Sequence, residues 1–270
     1  MKTLHRADVA TVCGLMIAAA GLLLGLHCEG IGLNDIGQVT AALIVFCGTI
    51  GAVLISVPLT QVTQALKALP AMLRMPIQRD GDVIEAVIGF ARAARQRGLL
   101  ALEQELDEDT DPVLRRGLRM TIDAVGIETI RTVLDAEVAG IQQQAQSMAE
   151  VYETAAGYAP TLGVAGAAIG LIQVMKHLEH LEQVGMGVAA AFVATIYGVL
   201  LANLVLLPVA SKIRARAELR VRACGLMREG ILSIGAGLNP TLIRMKLEAL
   251  AQIEEQPAKR VSVVSAGRAA

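Results

Sequence analysis

Residues 155–210 contain two apolar runs, and no other stretch constrains the chain as strongly. The first includes Pro160-Thr161-Leu162-Gly163-Val164-Ala165-Gly166-Ala167-Ala168-Ile169-Gly170-Leu171. The second includes Ala194-Thr195-Ile196-Tyr197-Gly198-Val199-Leu200-Leu201-Ala202-Asn203 and is followed by Pro208. Neither carries a formal charge within its apolar part. A hydrocarbon core of about 30 Å takes roughly 20 helical residues, and a soluble helix rarely stays apolar all round for that length. The small residues predict close packing against neighbouring helices. The prolines predict bends.

Two further runs meet the same test, Val9–Leu26 with 18 uncharged residues and Val39–Leu59 with 21. The chain therefore reads as an all-α polytopic membrane protein with four transmembrane helices in two hairpins and a helical cytoplasmic domain. Residues 1–59 form the first hairpin, 60–154 the cytoplasmic helical domain and 155–210 the second hairpin. Residues 211–257 supply cytoplasmic C-terminal helices, and 258–270 a polar, small-residue tail expected to be disordered. A mean hydropathy of +0.55 agrees with integral membrane placement.

A cleaved leader is the rival reading of the first run, because Lys2 and Arg6 precede it and Cys28 follows it. His27 directly before that cysteine, and an ending in Gly and Glu, fit a cleavage site poorly. With a second span following at once, Val9–Leu26 is better read as the outgoing limb of a hairpin.

Lys and Arg fix the expected orientation. Loops 27–38 and 176–186 hold one of the 24 basic residues, Lys176, and the other 23 lie before the first span, in 60–154 or beyond 211. By the positive-inside rule both termini and the central region face the cytoplasm, which for a bacterial chain means the inner membrane.

The net charge of −1 says little, and no basic tract suggests nucleic-acid binding. Cys13, Cys28, Cys47 and Cys224 are scattered without metal-ligand spacing and read as free thiols. His177 and His180 share a helix face but lack a third ligand, so they read as interfacial. No nucleophile motif, phosphate loop or catalytic carboxylate pair is present. Neither an enzyme nor a cofactor or metal site is expected.

The cytoplasmic part reads as helical. Asp82 with Glu85 suggests a capping pair, followed by Ile84, Val87, Ile88 and Ala91 at helical spacing. This helix presents Arg92 and Arg95 and is interrupted at Gly98. A second short helix is expected over Leu99–Leu106, and Asp111-Pro112 starts another. From Ile127 the helical pattern runs directly into the third span.

These motifs resemble the MotA/PomA family of flagellar stator proteins over nearly the whole chain, to about residue 250. The resemblance rests on the proline and Gly-rich pattern of Pro160–Leu171, on Thr195–Gly198 with Ala202-Asn203, and on Pro208–Lys212. Gly98–Glu103, Asp111-Pro112 and Glu229-Gly230-Ile231 with Asn239-Pro240 add to it. It implies a five-subunit ring around a MotB-type single-span partner, conducting ions and turning the rotor through a FliG-type switch protein. ExbB/TolQ-like energisers of other envelope processes share the third- and fourth-span pattern. They have three spans with the large loop after the first, whereas two spans precede it here. A solute transporter is a third reading, but the hairpins show no internal repeat.

None of the four spans holds an acid within its apolar part; Asp8, Glu29, Asp35, Glu179 and Glu182 lie at edges or in loops. An ion-driven machine needs an ionisable group in the membrane, so conduction by this chain requires a carboxylate from another. A scaffold without conduction is the plain alternative.

Gly163, Gly166 and Gly170 line one helix stripe and read as packing residues. Thr195 has two readings, a hydroxyl bonded to its own i−4 carbonyl or, as the resemblance implies, a pore-side group facing the partner's carboxylate. Asn203 reads as interhelical glue. The resemblance makes Pro160 and Pro208 coupling hinges and aligns Arg95 and Glu103 with charged rotor-contact positions. It also implies that sodium-driven members carry threonine where this chain has Ala167, which points to protons.

Overall fold

The computed structural model describes residues 9–30, 32, 36–74, 78–176, 179 and 181–252. Expectations for the residues before Val9, for His177 and His180, and for the tail 258–270 lie outside these. Every regular element among the described residues is helical. Three stretches are long and apolar enough to cross a membrane, Val39–Ser56, Ile127–Lys176 and Val184–Gly235, and Cys13–Cys28 is a shorter apolar helix. The chain divides into two compact units, an apolar one (1–76 and 145–215) and a polar one (77–144 and 216–270).

The apolar unit begins with α1 (Val9–Cys28), α2 (Val39–Ser56) and α3 (Leu59–Arg74). On α2 the residues Ala41, Val45, Thr49 and Val53, four apart, are buried, while Leu43, Phe46, Ile50 and Leu54 are exposed. One face thus packs inward and the other suits lipid. The Thr49 hydroxyl donates to the Val45 carbonyl at 2.6 Å, which removes the cost of burying it. Helix α3 is amphipathic; Ala65 is buried, and its carbonyl accepts a bond from the Tyr152 hydroxyl at 3.2 Å.

Helix α6 (Ile127–Lys176) runs 50 residues without a break, about 75 Å at 1.5 Å per residue. Its second part belongs to the apolar unit, as the uninterrupted pattern from Ile127 predicts. Helix α7 (Leu181–Leu200) passes through a π-helical turn at Leu201–Leu206 into α8 (Leu207–Gly235). The fourth apolar run thus continues as one helical path to Gly235.

In the polar unit, α4 (Asp80–Arg97), a 3-10 helix (Leu99–Glu105), α5 (Pro112–Ile122), the first part of α6, the second part of α8 and α9 (240–252) enclose one core. Val87, Ile88, Leu102, Leu118, Ile130, Leu134, Ile231, Ile243 and Leu247 are fully buried in it. The Ile84, Val87, Ile88 and Ala91 stripe of α4 points inward, as its spacing predicts.

One local expectation is corrected. Asp82 does not cap α4: the helix begins at Asp80, and both acids stand in its first turn, where the helix dipole favours them. Asp80 pairs with Arg222 at 2.5 Å, and Glu85 pairs with Arg244. The short helix expected after Gly98 is present as a 3-10 helix over Leu99–Glu105. Gly98 adopts φ +85°, a conformation costly for any side chain, and so ends α4 sharply.

Asp111 caps α5 as Asp-Pro predicts, accepting from Val113 N at 3.0 Å, and does more besides. Arg220 donates to both of its oxygens, at 2.5 and 3.0 Å, and Gln78 donates to one at 3.1 Å. Partial burial works to raise the Asp111 carboxyl. The bonds from Arg220 and Gln78, with the charge of Arg220, overcome it and hold the group below its ordinary value. A folded pKa below the unfolded one means the tie stabilises the unit at neutral pH and is lost only as pH falls below the usual carboxylate range. Cys224, fully buried nearby, has its thiol pushed up to about 11 by burial, against the opposing charge of Arg220.

Candidate functional site

Helices α6 and α7 run antiparallel in the apolar unit, and their glycines set how close they come. A Cβ added at Gly163 would stand 2.9 Å from the Ala194 carbonyl oxygen and 3.2 Å from the Thr195 Cα. At Gly166 it would meet the Ala194 Cβ at 2.9 Å, and at Gly170 the Ala191 backbone nitrogen at 3.0 Å. From the other side, a Cβ at Gly198 would run into the Ala159 carbonyl and stand 3.1 Å from the Pro160 Cα. Real Cβ atoms essentially never approach backbone this closely, so the two helices meet backbone to backbone over about three turns. Spacing three and four apart keeps the three α6 glycines on this one stripe. Helix α2 covers the same seam, with Ile44 against Gly166 and Leu162 against Gly48.

Thr195 sits in the seam opposite Gly163 and is half-buried. Its hydroxyl donates to the Ala191 carbonyl of its own helix at 3.3 Å, a long bond. Ala167, also half-buried, follows Gly166 on α6, one turn along from Gly163. The two candidate ion-pathway residues therefore lie on the two helices of one seam.

Pro160 lies half-buried against Gly198, and by lacking an N–H it leaves the Ala156 carbonyl without its helical donor. Pro208 is exposed and begins just beyond the π turn, where Leu207 N–H bonds back five residues to the Ala202 carbonyl. That wider turn precedes a residue whose ring would crowd the carbonyl four back. The π turn has no obvious signature in the sequence beyond Pro208 itself. Asn203, expected to bridge helices, instead donates to the Val199 carbonyl of its own helix at 2.9 Å.

Sequence reasoning also missed the polar ties that close the packing of α2. The Tyr197 hydroxyl donates to the Ile36 carbonyl at 2.6 Å, and Tyr158 and Ser56 share a hydroxyl bond of 2.7 Å. A buried tyrosine hydroxyl usually finds a partner, which is the one signal that pointed to them.

Arg95 and Glu103 belong to the polar unit and are both exposed, on either side of the Gly98 break. Between them Leu100 is 74% exposed, and Arg97 pairs with Glu105 across the 3-10 turn. Among the described residues no group of three or more His, Cys, Asp or Glu is placed to hold a metal.

These features define an all-helical polytopic membrane protein whose last two apolar helices pack on a glycine seam and extend into a polar helical unit. The model of the MotA/TolQ/ExbB proton channel family matches residues 105–224. The chain is 34% identical over 245 residues to motility protein A of Bacillus subtilis, covering 89% of each. Among solved structures it resembles C. jejuni MotAB at 26% identity, covering 90% of this chain and 95% of that one with a TM-score of 0.85. It also resembles the flagellar MotAB stator complex of Bacillus subtilis at 31% identity, covering 89% and 95% with a TM-score of 0.82. The chain belongs to the motility protein A group of the MotA/TolQ/ExbB proton channel family.

The seam makes a direct prediction. Alanine in place of an unhindered helical glycine is neutral or stabilising by about 0.5–1 kcal/mol, whereas overpacking costs about 1–3 kcal/mol. Gly198→Ala and Gly163→Ala should lower the melting temperature of the detergent-solubilised protein, and Gly185→Ala, which meets nothing within 4 Å, should not. Equal melting of all three variants would show that the helices do not touch there.

Proposed function

We propose that the chain is the channel-forming stator subunit of a bacterial flagellar motor, turning inward proton flow into torque. Its relatives named motility protein A and its similarity to MotAB stator complexes support this reading. The observation that carries it is the seam itself: two closely packed helices with Thr195 between them and no carboxylate within their apolar parts. A carboxylate is needed to bind and release the ion in the membrane. It comes from a MotB-type single-span partner enclosed by a ring of copies of this chain, five by resemblance. An ExbB/TolQ-like role is less favoured because the matched relatives are motility proteins over nearly their full length. The chain acts by moving ions and helices, without catalysing a covalent reaction.

Proton coupling follows from Ala167, which removes a hydroxyl from the place where a sodium shell would be assembled, while Thr195 remains. A charge falling through 100 mV releases about 2.3 kcal/mol, so several protons drive one mechanical step. Swimming should stop when a protonophore collapses the proton gradient and should ignore external sodium. Motility that ceases on sodium removal at constant proton-motive force excludes the proton reading.

The inner-membrane orientation puts both termini and the polar unit in the cytoplasm, supported by the placement of 23 of 24 basic residues. A cysteine introduced at position 100 in a cysteine-free chain should escape a membrane-impermeant thiol reagent in intact cells. Its labelling would invert the topology.

With that orientation, Arg95 and Glu103 face the rotor and meet complementary charges on a FliG-type switch protein, while Pro160 and Pro208 couple the ion step to the cytoplasmic helices. Exposed pairs contribute about 0–1 kcal/mol each, so neutralising either residue should slow swimming only mildly. Arg95→Glu and Glu103→Lys replace attraction by repulsion and should impair it more. Full motility in both reversal variants, at normal protein levels, would remove these residues from the rotor contact.

A further inference from the structure

We propose that Arg214 and Glu153 form a strut that locks the cytoplasmic extensions of α6 and α8 together, so that a bend at the two prolines moves both extensions jointly. The proposal rests on the stator reading above.

The guanidinium of Arg214 uses its whole fork. One terminal nitrogen pairs with Glu153 Oε1, the other donates to Glu153 Oε2 at 2.7 Å, and Nε donates to Gln146 Oε1 at 3.2 Å. Gln146 in turn donates from Nε2 to Glu150 at 3.0 Å, so the acceptor is itself held. A bidentate guanidinium–carboxylate pair fixes orientation as well as distance. With a third donor engaged about two turns away along α6, the arginine resists both rotation and sliding of α8 against α6.

Its place along the helices gives the strut a role. Glu153 precedes Pro160 by seven residues and Arg214 follows Pro208 by six, about 10 Å of helix in each case. On the far side of the prolines the helices are already joined, Gly163 lying against Ala194 and Thr195. Between the seam and the strut lie the weak points, the unpaired turn at Pro160 and the π turn before Pro208. A segment soft in the middle and tied at both ends bends as a pair of rods. Without the strut, the turns of α6 and α8 just past the prolines would lose the bond that fixes their orientation.

Stability is a poor account of this pair. Both side chains are about one-third exposed, 38% for Arg214 and 32% for Glu153, where ion pairs contribute little. The geometry that the fork imposes is the property left to explain it.

The test uses the full chain with its single-span partner in cells lacking their own stators, reading stall torque per incorporated unit and the number of units recruited. Arg214→Ala and Glu153→Gln should each lower torque per unit by about twofold or more while recruitment stays normal, and the exchanged pair Arg214→Glu/Glu153→Arg should recover most of the loss. Arg214→Lys keeps the charge but not the fork and should resemble Arg214→Ala. Unchanged torque per unit in the single variants overturns the strut. So does a loss confined to protein level or recruitment, which is what a merely structural pair would produce. Failure of the unaltered chain to drive rotation with its partner would instead overturn the stator reading.

Discussion

Close approach of α6 and α7 is the contact on which the rest of the apolar unit depends. In lipid there is no hydrophobic gain from bringing two apolar helices together, since the acyl chains are as apolar as leucine. What holds helices there is dispersion at short range and the few polar bonds their backbones and side chains can share. Glycine at 163, 166, 170 and 198 removes the side-chain layer that otherwise keeps helix axes 8–10 Å apart. Helix α2 lies over the seam, with its Ile44 against Gly166 and its Gly48 against Leu162 of α6. Hydroxyl bonds from Tyr197 to Ile36, just before α2, and between Tyr158 and Ser56 at its end tie the α2 segment to both helices.

Much of this was legible in the chain because apolar length and glycine spacing are local signals. The unbroken helix from Ile127, the Asp111-Pro112 helix start and the inward stripe of α4 were read from residues a turn or two apart. Asp82 misled because a capping motif is defined by a few residues, whereas the start of α4 at Asp80 is fixed by its pairing with Arg222, 142 positions away in the chain. Asn203 misled for the opposite reason. An amide in an apolar helix satisfies itself most cheaply on the carbonyl four residues back when no neighbour offers a better partner. The π turn at Leu201–Leu206 had no residue pattern to announce it.

The polar unit shows a different economy. Its core is apolar, but its helices are registered by arginines of α8 that each reach an acid on another helix: Arg220 to Asp111, Arg222 to Asp80, Arg228 to Asp135. Asp111 serves at once as helix cap and as ion-pair partner. A single carboxylate thereby ties the start of α5 to α8 and to Gln78. Pairs of this kind are not visible in composition, since 24 basic and 25 acidic residues nearly cancel.

On the stator reading proposed above, a chain whose α6 and α7 carry no carboxylate within their apolar parts must divide its labour with another. If the titrating group belonged to α6 or α7, its changing charge would act on a helix already locked by the glycine seam, and little would move. Placed on a separate span, the same charge change alters the interaction between two bodies, one of which is free to turn against the other. The seam then has to be rigid, the prolines have to be the compliant points, and the extensions past them have to move as one. The glycines from Gly163 to Gly198 supply the first condition, and in the readings proposed above Pro160 with Pro208 and Arg214 with Glu153 supply the other two.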